Sequence, residues 1–218
     1  MTDIFPGPWQ FPEIDRLEGR LVTVERLDPA RDAAALFDVS HHPPEYQSLF
    51  TFLPYGPFPS PEAMRAWLTQ AVDSPDSRYF CVVDKTRQSP VGMTALLAIV
   101  PAHGRAEIGS VWYSPAVQKT KVNTEVNYLL LKTLFRDYRY RRVEWKCDDH
   151  NLPSKQAALR MGFKYEGLFR QHMLVKGKNR DTAWFSILDR EWPALEQNFD
   201  AYLSGQAESL TRLNNPAG

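Results

Sequence analysis

The segment from residue 106 to residue 163 constrains the fold more than any other part of this chain. It reads AEIGSVWYSPAVQKTKVNTEVNYLLLKTLF, then a basic turn, then RRVEWKCDDHNLPSKQAALRMGF. Its pattern alternates strand, polar turn, helix, strand, polar turn, helix. Strands joined through a helix pair in parallel, because parallel neighbours need a crossover of a dozen or more residues. Both polar turns follow strands and feed helices, so with a parallel crossover they open at the same edge of the sheet.

The flanking sequence supplies the rest of one domain. Residues 21–27 alternate and predict a strand. Asp28-Pro29 is a cap followed by proline at the first helical position, and starts a helix reaching about residue 37. Residues 41–59, rich in proline and aromatics, predict a long loop. Ser60-Pro61 repeats the cap signal, and Met64, Trp67, Leu68 and Ala71 then mark one apolar helical face. Residues 79–84 and 91–100 predict a hairpin, and 106–113 the next strand. A helix is expected over 123–138, a strand over 143–147, and a short helix over 153–161 with Gly162 as its left-handed C-terminal residue. Residues 163–175 and 181–188 predict a second hairpin around Lys176-Gly177-Lys178-Asn179, and 192–203 a last helix. The order is a mixed α/β (α+β) layout, an antiparallel meander leading into a crossover helix. Residues 1–16 predict an extended arm in which Phe5, Trp9 and Phe11 pack on the domain. Residues 17–204 form the domain, and 205–218 a flexible tail.

Composition narrows the function classes. The 218 residues carry 26 basic and 26 acidic side chains, so no global field holds nucleic acid or a membrane surface. The longest apolar run, residues 95–100, is too short to span a bilayer. No signal peptide is read at the N-terminus, and Cys81 and Cys147, each inside a strand pattern, fit a reducing cytoplasm. No metal is expected, since His41-His42 sit in the proline-rich stretch without ligand spacing.

The chemistry concentrates at the two turns. Residues 118–124 lead into a helix whose first backbone N–H groups lack intrahelical partners, a place suited to a pyrophosphate. Lys119 and Lys121 add positive charge, and Asn123 or Thr124 is placed to cap the helix. The second turn, Asp148-Asp149-His150-Asn151, precedes a helix with Ser154 in its first turn. A long ligand would lie across both.

At these residues the chain resembles the GNAT-fold N-acetyltransferases, in particular the RimJ/RimL type. The resemblance rests on Ala106-Glu107-Ile108-Gly109, Trp112 with Ser114-Pro115, and Gln118 through Glu125. It continues in Asn151-x-x-Ser154 ending in Met161-Gly162-Phe163, and in Glu166-Gly167 through Arg170-x-His172. Gly177, Arg180-Asp181 and Glu191-Trp192 close it. It covers roughly residues 17–195. It implies a single GNAT-like domain, a mixed, mostly antiparallel twisted sheet with helices on both faces. It implies acetyl-CoA as co-substrate and a primary amine, at a protein N-terminus or on a small molecule, as acceptor.

By the same resemblance, the pyrophosphate would rest on the turn formed by Gln118, Lys119, Thr120, Lys121, Val122, Asn123 and Thr124. The pantetheine arm would lie beside Val111, Trp112 and Tyr113. Asn151 matches a residue that contacts CoA, and Ser154 a hydroxyl near its sulfur. The turn departs from the family form, Gln/Arg-x-x-Gly-x-Gly. Lys121 and Asn123 stand at the two later glycine positions and Lys119 at a third, frequent one. A non-glycine residue in a left-handed conformation costs ~1–2 kcal/mol. A charge-assisted bond from lysine to phosphate, worth ~1.5–3 kcal/mol, offsets it.

The implied mechanism is direct attack of the amine on the thioester in a ternary complex. Glu107 is the first choice of base and Ser154 the candidate proton donor to the thiolate; Glu144, Asp148 and His172 are further candidate bases. Glu144, Lys146 and Asp148 share one face of their strand by the period-2 rule. Residues 46–58 and the turn at 176–179 are expected to border the acceptor pocket. A monomer or homodimer is expected. Two other readings stay open: a catalytically inactive scaffold of the same fold, and an RNA-binding module using Lys132, Arg136, Arg139, Tyr140, Arg141 and Arg142.

Overall fold

The computed structural model describes residues 7–215, so Phe5 of the expected arm lies outside the described residues. Eight strands form one sheet, in the order β1-β2-β3-β4-β5-β6-β8-β7. They are β1 (Arg16–Glu18), β2 (Val22–Arg26), β3 (Arg78–Asp84), β4 (Ser89–Val100), β5 (Arg105–Tyr113), β6 (Arg142–Asp148), β7 (Lys164–Val175) and β8 (Lys178–Leu188). Every neighbouring pair is antiparallel except β5 and β6, which run parallel as the crossover pattern requires. Strand β1 is too short to carry a period, and the sequence reading absorbs it into the arm and domain start.

The helices are α1 (Pro29–His41), α2 (Pro61–Val72), α3 (Val122–Lys132), α4 (Leu152–Arg160), α5 (Trp192–Leu203) and α6 (Leu210–Asn214). Side chains cap the starts of α1, α2 and α4, and Ser209 caps α6 by accepting from the Arg212 amide. Asp28 accepts from the Ala30 and Arg31 amides, Ser60 from Ala63 and Asn151 from Ser154, each with a proline in the first turn. None of these helices is long and apolar enough to cross a membrane.

Strand alternation divides the core between the two faces. On β3, Phe80 and Val82 face one cluster with Leu130, Leu134 and Phe199, while Cys81 faces another with Leu36, Phe50 and Leu68. Helices α1 and α2 therefore cover one face and α3 and α5 the other. Both cysteines are buried free thiols.

Four local features depart from the sequence reading. Within the long loop, residues Pro44–Phe50 coil into 3₁₀ turns. Its buried Phe50 stacks edge-on near Phe58 and lies 5.9 Å from the Trp112 ring. His41 closes α1 instead of entering that loop, and its ring is fully used. Nε2 accepts from the Phe58 amide at 2.9 Å and Nδ1 meets Ser40 Oγ at 2.8 Å. Burial lowers its pKa. After Lys132, helix α3 continues through a wider turn at Thr133–Asp137, closed by the Tyr138 amide on the Thr133 carbonyl. The tail expected to be flexible forms α6 instead. Leu210 is buried, and the Asn214 amide nitrogen donates to the Arg160 carbonyl at 2.9 Å. Two leucines, Leu210 and Leu213, are too few in a polar stretch to establish a period, which is why pattern reading passes over it.

In the arm, Trp9 donates from Nε1 to the Arg139 carbonyl at 2.7 Å, and Phe11 lies under the Arg78 guanidinium.

Glu125 fixes α3 against the sheet. It is buried, and its carboxylate accepts from the backbone amides of Arg20, Leu21 and Val22 at 2.9, 2.7 and 3.0 Å. The approach is so close that a Cβ on Gly19 would sit 2.4 Å from Glu125 Oε2. Glu125→Ala leaves three amides without this acceptor, and should cost about 2–4 kcal/mol. Urea unfolding measures this as a drop in the midpoint at unchanged slope. Glu125→Gln, which keeps one oxygen acceptor, should lose less.

Candidate active site

Strands β5 and β6 pair only through Arg105↔Arg142, Ala106↔Val143 and Glu107↔Glu144. Beyond Glu107 they separate. Strand β5 bends at a bulge, where the register with β4 shifts between Met93/Trp112 and Ala95/Gly109 and Ser110 takes a φ of 51°. Strand β6 instead stays paired with β8 along its whole length. The gap is a cleft of about 650 Å³.

The cleft gathers most of the residues that the sequence points to. Its β5 wall is Val111, Trp112 and Tyr113, with Glu107 where the strands part. Gln118 and Asn123 border one end, and Asn151 and Ser154 line the α4 side. Ser48, Leu49, Phe52, Leu53 and Pro54 close it from the long loop, as expected of residues 46–58. The turn at 176–179 does not line it; Lys176 instead donates to the Phe50 carbonyl at 2.7 Å, tying the β7–β8 hairpin to that loop. Lys176 and Gly177 both take positive φ there, as a two-residue hairpin turn requires.

The anion turn differs from its expected form. Of the three glycine-like positions, only Lys119 is left-handed, at φ 61°, and its side chain is exposed. Lys121 lies in the right-handed region and its ammonium points away. It donates to the Tyr202 carbonyl at 2.7 Å and lies 4.7 Å from that ring's centre, so it braces α5. Neither Asn123 nor Thr124 caps α3. Asn123 Oδ1 accepts from Asn127 Nδ2 within the helix, and Thr124 Oγ1 accepts from the Arg160 guanidinium at 2.6 Å. Thr120 Oγ1 takes the capping role by accepting from the Val122 amide at 3.3 Å. Val122 is buried in the core. Arg160, which sequence reasoning missed, brings a cation to the start of α3 from 36 residues away.

Two carboxylates meet one lysine across the last parallel pair. Lys146 Nζ lies 2.9 Å from Glu107 Oε2 and 3.1 Å from Glu144 Oε2. Burial lifts the Glu107 carboxyl above the usual glutamate range, against the pull of Lys146. Burial also works on Glu144, but hydrogen bonds and charge from Arg142 and Lys146 outweigh it and its pKa falls. The period-2 rule places Glu144, Lys146 and Asp148 on one face, but the Glu107 contact needs the strand register. Asp148 Oδ1 is engaged by the His150 amide and lies 3.1 Å from its Nδ1. His172 lines the cleft with Nδ1 3.0 Å from Thr182 Oγ1.

Ser154 Oγ accepts from the Trp145 indole at 3.0 Å, which leaves its own proton to donate. Cys147, also lining the cleft, has its pKa raised by burial. The basic run considered for RNA is dispersed by the fold. Arg136 pairs with Glu196, Arg142 with Glu144 and Glu166, Lys132 lies over the Tyr128 ring, and Tyr140 is buried.

The profile of the acetyltransferase (GNAT) domain family matches residues 22–164, so this chain belongs to the GNAT acetyltransferase family. Among solved structures, a GCN5-related N-acetyltransferase from Brucella melitensis is 40% identical, with a TM-score of 0.90 over 95% of this chain and 97% of that one. A structure described as a probable acetyltransferase of the GNAT family, from Chromobacterium violaceum, is 41% identical, with a TM-score of 0.81 over 89% of this chain and 97% of that one. The N-acetyltransferase p20 of Bacillus licheniformis is 30% identical over 122 residues, 52% of this chain. The match spans 63% of that curated relative's length.

The two turn lysines should separate cleanly. Lys121→Met removes the bond to the Tyr202 carbonyl and should cost about 1 kcal/mol of stability in urea. It should leave acetyl-CoA affinity unchanged by calorimetry. Lys119→Met should weaken that affinity and flatten its dependence on salt.

Proposed function

We propose that this chain transfers the acetyl group of acetyl-CoA to a primary amine by direct attack in a ternary complex. The observation that carries the reading is the cleft between the parted strands, with a mostly buried glutamate at its apex and a serine hydroxyl on its far wall. The residues fit the co-substrate on three counts. The bulged β5 edge at Ser110 and Val111 is released from β6, so an extended polar arm can lie along it as a strand would. The α3 start meets the cleft at Gln118 and Asn123 with Lys119 and Arg160 nearby, a place that favours phosphates. Ser154 faces the cleft with its hydroxyl proton uncommitted to Trp145.

Acetyl-CoA supplies the thioester carbonyl. Glu107 takes the proton from the attacking amine; its raised pKa makes it a stronger base than an ordinary carboxylate. Lys146 holds that carboxylate in place while it is charged. As the carbon–sulfur bond breaks, Ser154 gives its proton to the departing sulfur.

Two measurements test this. Acetyl-CoA at a hundred times its Kd should stabilise the fold by ~2.7 kcal/mol in thermal unfolding. No shift at millimolar acetyl-CoA sinks the reading in favour of an inactive scaffold. Glu107→Gln should lower kcat by ~10²–10⁴ with acetyl-CoA affinity intact. A base with a raised pKa takes up its proton at higher pH. The acid limb of the wild-type kcat/KM profile should therefore lie above the usual glutamate range, and the variant should lack it. A variant with wild-type kcat rules Glu107 out as the base.

A further inference from the structure

One cation in the cleft makes no salt bridge among the described residues. Arg180 lies on β8 opposite Met173 of β7 and lines the cleft beside Glu107 and Lys146. Its Nε is buried without a hydrogen-bond partner, and no salt bridge reaches its guanidinium among the described residues. Every nearby carboxylate is otherwise engaged. Glu107 is held by Lys146, and Glu144 by Lys146, Arg142 and Arg105. Asp148 serves His150. Asp181, next in sequence, spends its Oδ1 on the Gln171 amide at 2.7 Å and Asn179 Nδ2 at 2.8 Å.

A buried N–H on a charged group is costly to leave unmade, and guanidinium geometry suits a carboxylate bidentately. Glu107 and Arg180 line the same cleft, so one small acceptor can meet both. Around them Leu49, Leu53 and Met173 make an apolar wall.

We infer that the acceptor is an amino carboxylate with an apolar side chain, its amine at Glu107 and its carboxylate on Arg180. This rests on the acetyl-transfer reading above and names the substrate class of the same cleft. A polyamine is disfavoured, because its second ammonium would meet Arg180 and Lys146 as like charges. No covalent step is added; Arg180 binds and selects.

The test compares L-leucine, L-methionine and L-phenylalanine with their carboxamides and with spermidine, by thiol release from acetyl-CoA. The free acids should exceed their amides by about 10-fold or more in kcat/KM. Arg180→Gln should cut kcat/KM for the acids by about 10–100-fold, chiefly through KM, much more than for the amides, and leave acetyl-CoA affinity unchanged. Arg180→Lys should fall between, keeping the charge but not the fork. A second arm needs no turnover: N-acetyl-L-leucine should raise the melting temperature of the wild type and not of Arg180→Gln, and N-acetyl-L-leucinamide should raise neither. Amides or spermidine used as well as the acids overturn the inference. So does failure of every acid with an enzyme that binds acetyl-CoA. Loss of acetyl-CoA binding itself is a failure of the acetyl-transfer reading, and the product-binding arm still decides the role of Arg180.

Discussion

Three registered pairs between β5 and β6 hold the two halves of the sheet together, and everything chemical depends on their being so few. A parallel pair carried to the strand ends would bring Val111 against β6 and leave no cleft. The bulge at Ser110 prevents this by bending β5 away, while β6 is held straight by seven registered partners on β8. The parted edges expose backbone groups that the sheet would otherwise satisfy, which is the usual condition for an extended partner to add as a strand.

The geometry of this opening is set by contacts outside it. Glu125 ties the start of α3 to the β1–β2 turn, and Lys121 ties it to α5, so the helix N-terminus is held from two sides. Lys119 can then keep a left-handed backbone that costs ~1–2 kcal/mol for a residue with a Cβ. Strained conformations of this kind persist where the surroundings over-determine them. On the opposite side, Trp145 positions Ser154, and Asn151 caps the helix that carries it. The long aromatic loop is fixed in turn by His41 on Phe58 and by Lys176 on Phe50.

What the sequence conveyed follows from how local each determinant is. Asp28-Pro29, Ser60-Pro61 and Gly162 act within one turn, and each does in the structure what the sequence predicts. The α3 cap misled because the groups that claim Asn123 and Thr124 are a helical neighbour and Arg160, whose contact spans 36 positions. Lys121 looked like a phosphate ligand for the same reason: its true partner is 81 residues on. The approach of Glu107 to Lys146 depends on strand register, which alternation alone leaves open. Arg180 stands out only once the partners of every other charge in the cleft are known.

Glu107 and Glu144 shift in opposite directions although they lie side by side. The two are directly paired across β5 and β6 and share Lys146, so proximity to that cation does not distinguish them. Arg142 stands on the Glu144 side and, together with Lys146, holds its proton off despite burial. Glu107 has Lys146 alone as a bonded cation, and there burial prevails. The charged Glu144, paired across from it, raises the Glu107 carboxyl further. By helping to keep Glu144 charged, Arg142 thus favours the protonated form of a carboxylate that it does not bond.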